Sequence, residues 1–589
     1  MKKLITILSL LFSISFGTQA GDILWLNNSY ALPSPTTGNA PGLLDGESDF
    51  SLHGGTCSLI SDANVKSITL HNNELIISNS STITIETNLE LTRGSKLIIK
   101  SGATLELGGI INNNDQCTIV IEVGANLIQT DITCNNTGTG AYSIEVVSHS
   151  KPEEYNFWSS PTHPSSLAST FSNAQKCDIY YYNTDNNEWR RPSNHSNCNS
   201  ATVADGDNNT KPGQGYAIAG AGTTVFNGIL NNGKLLIPIS QNGSGKNLIG
   251  NPYPSSISAK EFLTQNKRNI DGSLYFWLNH KGKDSHLDKT LDYATLNLAG
   301  ATGHPKRGGG FPITPNGTIA VGQGFFVTAT SNSNLEFSNS MRVRNNSTFY
   351  KSDTDFKRIW ISASSNKKES QLLITFNENA TEKEDWGYDS KRQQTNINNN
   401  KSAFSFGTIL ENNPEPYAIQ SFSDLDLETE REVPLSIYTS TSEVTCFKID
   451  HIENIDPSII ITIFDKATGK SQNLRNGPFA VYLNANETYN NRFTILFKNS
   501  KPPSPHVGIE KLNDSFINLY YNNNSLYLNN IVAMDELSIY TTTGRLILNS
   551  SLNSSFEKNI PVNNLSKGIY IAVIKNIDGT IEAKKFITQ

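Results

Sequence analysis

The sequence LELTRGSKLIIKSGATLEL, residues 89–107, places three short apolar runs at a spacing of eight residues. Gly94 and Gly102 lie between the runs. Because side chains alternate across a strand, each run puts two apolar side chains on one face and the residue between them on the other. Repetition at a fixed period predicts stacked short strands, a right-handed β-solenoid of a few rungs. A plain antiparallel meander is the alternative.

Four landmarks occur twice, in the same order, in the middle of the chain. In the first copy they are Trp158-Ser-Ser-Pro161, Ile179-Tyr-Tyr-Tyr182, Gly213-Gln-Gly215 and Phe226. In the second copy they are Ile249-Gly-Asn-Pro252, Leu274-Tyr-Phe-Trp277, Gly322-Gln-Gly324 and Phe337. The repetition predicts that residues 155–226 and 247–337 share one fold and pack as a pseudo-symmetric pair, with Tyr216 and Phe325 at equivalent core positions.

Each landmark has a local structural interpretation. Proline has no amide hydrogen to donate to a strand ladder, so the proline motifs predict the end of a strand and a turn. Gly-Gln-Gly predicts a tight turn, in which glycine accepts a positive φ, followed by an aromatic strand. We therefore interpret the landmarks as elements of an all-β fold.

The rest of the chain also consists of β-forming runs separated by polar turns. Residues 341–498 contain runs such as 371–376, 459–464 and 492–497, and Asp465-Lys-Ala-Thr-Gly469 predicts a hairpin turn. The sequence therefore predicts a multidomain all-β chain. Its expected parts are a solenoid-like region at 21–145, a duplicated β region at 146–340, a β-sandwich at 341–498, a proline-rich linker at 499–505 and a small β-sandwich of about seven strands at 506–589.

The first twenty residues have the pattern of a secretory signal peptide. Lys2 and Lys3 precede an apolar run at 4–16, and Thr18-Gln-Ala20 supplies small residues near a cleavage position. The run is shorter than the roughly 20 residues of a membrane-spanning helix. We expect removal of residues 1–20 and a mature protein without a transmembrane span. The formal net charge of −7 argues against nucleic acid as a partner.

The C-terminal part resembles a known sorting domain. The matching motifs are Leu537-Ser-Ile-Tyr-Thr-Thr-Thr-Gly544-Arg545, Leu565-Ser-Lys-Gly568-Ile-Tyr570 and Lys584-Lys585-Phe586-Ile587. Together, in this order, they resemble the type A C-terminal sorting domain of the type IX secretion system of Bacteroidota. The resemblance departs at Tyr521-Asn-Asn-Asn, where family members more often have a proline-containing turn.

This resemblance implies a fold, a route and a destination. The domain would be an Ig-like β-sandwich that the outer-membrane translocon reads after the chain has reached the periplasm. It is usually cleaved, which leaves the cargo free or attached to surface lipopolysaccharide. We therefore expect a secreted or outer-surface protein.

The middle of the chain is similar to a poorly characterised cargo type of the same phylum. The similarity lies in Trp158-Ser-Ser-Pro161, Leu248-Ile-Gly-Asn-Pro-Tyr-Pro254, Gly322-Gln-Gly-Phe-Phe326 and Trp386-Gly-Tyr-Asp389. No catalytic activity is attached to that type. The similarity therefore implies architecture alone.

Three segments contain residue types that occur in phosphate-binding or metal-binding sites, but the pattern of none of them favours such a site. Asn242-Gly-Ser-Gly-Lys246 lacks the first glycine and the final Ser or Thr of a phosphate-binding loop. Asp205-Gly-Asp207-Asn-Asn209 lacks the later glutamate of a calcium loop. His280, Asp284, His286, Asp288 and Asp292 crowd a Lys- and Gly-containing loop, which favours a solvated loop over a zinc site. We expect no catalytic residue, no cofactor and no metal.

Six cysteines are spread through the chain without a C-x-x-C pair. Export permits oxidation of near neighbours. We expect Cys177 and Cys198 to pair first and Cys117 and Cys134 second. Six free buried thiols are the alternative.

Aromatic residues of the repeats suggest one kind of binding site. Tyr180 and Tyr182 share one face of a strand, as do Tyr275 and Trp277, and Trp189 lies near the first pair in the sequence. Exposed aromatic pairs can stack on sugar rings, but core packing is the simpler interpretation. The leading hypothesis is thus a noncatalytic adhesin or matrix protein. A carbohydrate-binding protein and, third, a glycan-active enzyme are the alternatives.

Overall fold

The computed structural model divides the chain into two compact units, Met1–Lys501 and Pro502–Gln589. The division falls within residues 499–505, and each unit is described by itself. The structure describes residues 23–26, 30–31, 49–53, 56–78, 80–131, 136–147, 155–174, 178–191, 209–220, 222–277, 293–303, 314–344, 356–365, 368–393, 404–410, 413–424, 430–499, 518–522, 524–529, 534–551, 557–562, 565–576 and 581–588. The expected signal peptide lies outside these residues.

The first unit begins with fifteen short strands. They are β1 (Ile23–Leu26), β2 (Tyr30–Ala31), β3 (Asp49–His53), β4 (Thr56–Leu59), β5 (Ala63–Val65), β6 (Ser67–His71), β7 (Glu74–Ile77), β8 (Thr82–Ile85), β9 (Leu89–Thr92), β10 (Lys96–Ile99), β11 (Thr104–Leu107), β12 (Ile111–Asn113), β13 (Thr118–Ile121), β14 (Asn126–Gln129) and β15 (Ala141–Val147). Up to β15 they form three parallel sheets, in the orders β1-β3-β6-β9-β12, β2-β4-β7-β10-β13-β15 and β14-β11-β8-β5.

The parallel sheets confirm the predicted solenoid, and the register gives the length of a rung. Lys96 pairs with Glu74 in the rung before it and with Thr118 in the rung after it, each 22 positions away. The eight-residue spacing of the sequence therefore separates consecutive strands within one rung, so three sides complete a turn. Apolar side chains stack inside the coil, where Leu97 and its neighbours from adjacent rungs are fully buried.

In their described residues the repeats contain sixteen strands, two α-helices and one 3₁₀ helix. The strands are β16 (Tyr155–Trp158), β17 (Thr162–His163), β18 (Ile179–Asn183), β19 (Glu188–Arg190), β20 (Tyr216–Ala219), β21 (Thr223–Asn227), β22 (Ile229–Leu230), β23 (Leu235–Ile239), β24 (Lys246–Gly250), β25 (Ser256–Ser258), β26 (Leu274–Trp277), β27 (Tyr293–Leu296), β28 (Thr318–Ile319), β29 (Gly324–Thr328), β30 (Ser333–Phe337) and β31 (Arg342–Val343). The helices are α1 (Leu167–Thr170), α2 (Ala259–Gln265) and the 3₁₀ helix Asn339–Met341.

The two copies have the same strand order. The first forms the sheet β16-β20-β18-β19 and the second the sheet β24-β29-β26-β27, so each strand has its counterpart at the same place. A short helix follows the proline motif in both copies. At each helix start a serine side chain accepts a backbone N–H, Ser166 from Ser169 in one copy and Ser258 from Glu261 in the other. The duplication predicted from the landmarks is therefore present in the fold.

The last part of this unit contains eleven strands. They are β32 (Lys357–Ser365), β33 (Lys368–Phe376), β34 (Ser390–Lys391), β35 (Phe404–Leu410), β36 (Asn413–Phe422), β37 (Arg431–Thr439), β38 (Glu443–Glu453), β39 (Ile459–Asp465), β40 (Lys470–Asn473), β41 (Phe479–Leu483) and β42 (Glu487–Asn499). All belong to one sheet, in the order β40-β39-β42-β37-β35-β36-β33-β32-β38-β41, with β34 beside β36.

This sheet folds over on itself around one core. Ile461 near one end of the sheet and Phe479 near the other pack into the same apolar cluster. The two layers expected of a sandwich are therefore parts of one hydrogen-bonded sheet. The predicted turn at Asp465-Lys-Ala-Thr-Gly469 joins β39 to β40, and Gly469 takes a φ of 68° there.

The second unit is a small antiparallel sandwich of seven strands. They are β43 (Asn518–Asn522), β44 (Ser525–Asn529), β45 (Met534–Thr541), β46 (Leu546–Ser551), β47 (Glu557–Pro561), β48 (Gly568–Asn576) and β49 (Ile581–Thr588). The sheets have the orders β43-β44-β47 and β46-β45-β48-β49. Leu528 of the first sheet and Leu537 of the second are fully buried in the shared core.

Candidate functional site

The contact between the two repeat copies is reciprocal. Trp158 forms an isolated bridge with Gln323 of the second copy, and Ile249, its counterpart, forms one with Gln214 of the first. The backbone hydrogen bonds repeat this exchange. The N–H of Ser159 donates to the carbonyl of Gly322 over 2.9 Å, and the N–H of Gly250 donates to that of Gly213 over 3.0 Å. The copies thus form the predicted pseudo-symmetric pair.

The two glycines of each Gly-Gln-Gly turn have different roles. Gly213 and Gly322 take φ values of 72° and 71°, the conformation that glycine adopts most easily. Gly215 and Gly324 do not have a positive φ. A Cβ on Gly324 would lie 2.9 Å from the carbonyl carbon of Phe157. The second glycine is required because the backbone of the other copy passes so close.

Aromatic side chains fill the space between the two sheets. The buried members of this aromatic joint are Phe157, Ala217, Leu248, Tyr275, Trp277 and Phe326, and those partly buried are Tyr155, Tyr180, Tyr182, Trp189 and Tyr293. The ring of Phe157 lies at its centre, 5.7 Å from that of Trp277 and 5.7 Å from that of Trp189. Tyr216 and Phe325 point the opposite way, into the outer cores of their own copies.

The structure therefore places the five aromatic residues considered for sugar stacking in a single cluster. Tyr275 and Trp277 are buried and present no ring face to a ligand. These two residues therefore pack in the core, and their rings are not exposed for stacking on a sugar. Tyr180, Tyr182 and Trp189 keep part of their surface exposed at the margin of the joint. The guanidinium of Arg191 lies 5.2 Å from the ring centre of Tyr180 and donates to its hydroxyl.

A buried arginine fixes the second copy to the end of the solenoid. Arg342 donates from Nε to Ser255 Oγ over 3.0 Å, from Nη1 to Asn232 Oδ1 over 2.9 Å, and from Nη2 to the carbonyl of Leu127. Its guanidinium lies 5.1 Å from the ring centre of Tyr253. Burial lowers the pKa of Arg342 to about 9. Neutral oxygen acceptors satisfy this charge, which would be costly to bury unpaired.

The motif Trp386-Gly-Tyr-Asp389 fixes the second copy to the eleven-stranded sheet. Trp386 Nε1 donates to the carbonyl of Ile270 over 2.8 Å, and the N–H of Leu298 donates to the carbonyl of Gly387 over 2.7 Å. A Cβ on Gly272 would lie 2.5 Å from the nitrogen of Gly387. This motif, a landmark of the sequence resemblance, is therefore a structural joint.

Two carboxyl groups, the buried one of Asp389 and the half-buried one of Asp271, accompany this joint. The backbone N–H groups of Ser421 and Asp385 donate to Asp389 over 2.7 and 2.6 Å, yet burial raises its pKa to about 7. Burial also raises the pKa of Asp271 to about 6. The N–H of Ser273 donates to Asp271 over 3.1 Å. The raised pKa values of the two groups could not be predicted from the sequence, because the burial comes from the packing of distant segments.

These joints unite the three regions predicted before the linker. Solenoid, repeats and eleven-stranded sheet lie in one compact unit and not in separate ones. Strand β21 of the first copy continues a solenoid sheet, where Phe226 pairs with Ile144. The expected division at 145 and 340 therefore does not separate independent bodies in this structure, because apolar side chains and backbone ladders cross both positions.

The structure describes only some of the cysteines and polar loops that the sequence singles out. Cys117 is fully buried, and its pairing with Cys134, which lies outside the described residues, stays a prediction. Cys134, Cys177 and Cys198 lie outside the described residues, and the pairing of Cys177 with Cys198 stays a prediction. The polar loop residues 280–292 and 205–207 also lie outside the described residues. Within the part of the chain that is described, no three His, Cys, Asp or Glu residues gather where they could hold a metal ion.

The motifs of the C-terminal unit have clear structural roles. Gly544 takes a φ of 84° in a tight turn, in which the N–H of Thr541 donates to the carbonyl of Arg545 over 2.9 Å. The ring of Tyr570 stacks on that of Phe586, and its hydroxyl donates to the carbonyl of Ser566 over 2.9 Å.

The final strand is held by its last described residue. Thr588 Oγ1 donates to the carbonyl of Ser566 over 2.7 Å and accepts the N–H of Gly568 over 3.0 Å. Lys584 and Lys585 belong to the same strand, and Lys585 is exposed. The strand that ends at Thr588 is therefore an integral part of the sandwich.

Comparison with known proteins agrees with this architecture. Residues 513–589 match the family model described as "Secretion system C-terminal sorting domain". The protein is thus a cargo of the type IX secretion system, exported to the cell surface or the extracellular space. Residues 56–497 match the model "Domain of unknown function (DUF8693)", and the chain belongs to this family. The matched range covers the solenoid, the repeats and the eleven-stranded sheet together.

Other comparisons add little. No curated protein matches the chain. A solved structure titled "Biofilm associated protein - BSP domain" is similar over 75% of this chain and 91% of that chain, at 10% identity and a TM-score of 0.13. A TM-score this low does not indicate a shared fold. No helix within the described ranges is long and apolar enough to cross a membrane.

Proposed function

We propose that this protein is a noncatalytic component of the outer cell surface or its surroundings, of adhesin or matrix type. The proposal builds on export through the type IX system, which the C-terminal unit indicates. Removal of residues 1–20 and of the sorting unit, and attachment of the remaining chain to lipopolysaccharide, belong to the same proposal.

The observation that carries the proposal is the use of the aromatic side chains in the joint between the repeats. The ring of Phe157 lies 5.7 Å from that of Trp277 and 5.4 Å from that of Phe326, measured between centres, and Phe326 lies 5.0 Å from Tyr182. Offset and edge-to-face contacts of this kind add to the free energy of apolar burial. Aromatic side chains that could bind a ligand are thus used to stabilise the contact between the two repeat copies. This use supports a structural role.

Carbohydrate binding is a second candidate because the margin of the joint is open. Tyr180, Tyr182 and Trp189 are half-buried, and Arg191 covers one of the rings. An aromatic ring beside a guanidinium offers a stacking surface and hydrogen-bond donors to a sugar. A glycan-active enzyme is the third candidate and would need two convergent carboxyl groups beside this margin.

A glycan array probed with residues 21–498 separates the candidates. A structural role predicts no glycan that binds the wild type more tightly than the variant Trp189→Ala. Binding that this variant loses, while Trp360→Phe retains it, would establish the second candidate instead. Trp360 is a suitable control because its Nε1 donates to the carbonyl of Ala301, away from the aromatic joint.

A cellular experiment tests the adhesin or matrix role itself. Bacteria that lack the protein should attach to surfaces more weakly or form a weaker matrix, and the full-length gene should restore the phenotype. Unchanged attachment and matrix in the deletion strain would contradict the proposal.

A further inference from the structure

One sheet of the C-terminal unit carries apolar side chains on both faces. The inner face of β45 and β48 contributes Leu537 and Ala572, among others, to the core. In an antiparallel sheet that packs one face on a core, the face exposed to water is normally polar. Here it carries a set of apolar side chains that we call the apolar strip. Its members are Tyr540, Leu546, Ile569, Ile571, Val573 and Ile587.

The register makes the apolar strip continuous. Ile569 pairs directly with Ile587 across β48 and β49. Tyr540 pairs with Ile571 on one side and with Leu546 on the other. Side chains that face each other across neighbouring strands lie within contact distance. The strip therefore crosses all four strands of the sheet.

The most exposed members of the strip stand out in the described part of the chain. Ile569, Ile587 and Leu546 expose 42%, 57% and 51% of their surface. Eight large apolar side chains among the described residues are exposed to this degree, and three of them lie in this small unit. A clustered, exposed apolar surface marks an interaction site more often than scattered residues do.

Cationic residues surround the strip. Arg545 immediately precedes Leu546 and Lys585 pairs with Ile571, and both are exposed, whereas the exposed Lys575 pairs with Glu536. Arg545 and Lys585 belong to the motifs that identify the sorting domain. The core accounts for Tyr570 and Phe586 of those motifs, whereas packing within the unit does not explain these two exposed cations.

We infer that the apolar strip is the surface by which the sorting unit binds a protein of the outer-membrane secretion machinery, and that the receptor offers an apolar groove with acidic residues at its rim. The inference rests on the proposed export through the type IX system. An apolar centre with a charged rim is the usual anatomy of a protein–protein interface. A rigid sheet surface suits a preformed groove, and the cations of the rim would steer encounter.

Paired substitutions in the full-length chain test the inference in the bacterium that makes it. Ile569→Thr with Ile587→Thr removes the most exposed cross-strand pair while keeping residues that favour strands. We expect the secreted amount to fall about tenfold or more, with accumulation in the periplasm. Ile587→Leu should be secreted normally. Secretion of the double variant at the wild-type level would overturn the inference.

The chain offers a matched control for this pair. Val444 and Tyr482 are direct cross-strand partners in the first unit and expose 56% and 59% of their surface. Val444→Thr with Tyr482→Thr should leave secretion unchanged. Deleting residues 507–589 tests the underlying function separately: secretion of that truncation would refute sorting by this unit altogether. Blocked secretion of the truncation with normal secretion of the double variant would refute the strip alone.

Photo-cross-linking decides the matter if the double variant fails to fold. A benzophenone side chain at position 587 of the otherwise unchanged protein should cross-link to an envelope protein, and one at position 482 should not. A cross-link to lipopolysaccharide, a dimer of the protein itself, or no cross-link that depends on position 587 would each contradict the inference.

Discussion

Gly324 lies directly against Phe157, so that a Cβ on the glycine would be 2.9 Å from both the carbonyl carbon and the Cβ of the phenylalanine. The corresponding contact in the other direction joins Gly215 to Leu248, whose Cγ would be 2.6 Å away. The two contacts are related by the pseudo-symmetry of the copies, and in each a glycine of one copy lies against a residue of the other. This relationship leads directly to a prediction about stability.

Gly215→Ala and Gly324→Ala should each lower the free energy of unfolding by about 2–3 kcal/mol, because an added methyl group forces the two backbones apart. Gly469→Ala is the control. Gly469 has a φ of 68° and open space around it, so the cost there is backbone strain of about 1 kcal/mol. Chemical denaturation of residues 21–498 measures all three. Equal costs at the three positions would show that the close contact is unimportant.

The landmarks of the repeats show which structural features could be predicted from the sequence and which could not. Gly-Gln-Gly and the proline motifs predicted the turns and the equivalence of the copies, since both are local properties. The need for Gly324 could not be predicted, because it comes from Phe157, far away along the chain. Likewise, the eight-residue spacing indicated a coil but not that 22 residues complete a rung.

The candidate site, too, could be predicted only in part. Alternation placed Tyr275 and Trp277 on one face of a strand, as the structure has them. Which face another sheet covers depends on tertiary packing, and here the covered face is the aromatic one. The raised pKa values of Asp271 and Asp389 were hidden from the sequence for the same reason.

The buried carboxyl groups predict a dependence of stability on pH. The pKa of Asp389 is raised from 3.8 to about 7, so the folded protein holds a proton that the unfolded chain releases. Stability should therefore be greatest at low pH within this window and fall as pH rises from about 4 to 7, by on the order of 4 kcal/mol, because each pKa unit corresponds to about 1.4 kcal/mol. Denaturation of the wild type and of Asp389→Asn at pH 5 and pH 8 measures the effect.

The variant should show a smaller decrease between the two pH values, whatever its stability at either one. Asp271→Asn should reduce the slope as well, and mainly below about pH 6, where burial places its pKa. An identical slope in the wild type and both variants would contradict the assignment of these groups.

The cysteines predict a distinct pattern of reactivity. Cys177 and Cys198 should form a disulfide in the secreted protein, and closing this loop should contribute roughly 3 kcal/mol. Cys57 is a buried free thiol, and burial raises its pKa to about 11, so Cys57 should resist alkylation in the folded state. Peptide mapping without reduction checks both statements. Finding Cys177 and Cys198 alkylated would disprove the bond.

Processing should leave two defined ends. The mature protein is expected to begin at Gly21 and, if the sorting unit is removed, to end within or near residues 499–510, where the two compact units divide. Intact-mass measurement of secreted material gives both ends at once. A surface form that still carries Gln589 would refute removal of the tail, although not sorting by it.

The most direct test of the account is the location of a chain that lacks residues 507–589. Expressed in the native bacterium and followed by cell fractionation, it should accumulate in the periplasm as a folded protein, because the first unit is compact by itself. The full-length chain in the same cells should appear at the surface or in the medium. Normal secretion of the truncated chain would contradict the central claim that residues 513–589 direct this protein out of the cell.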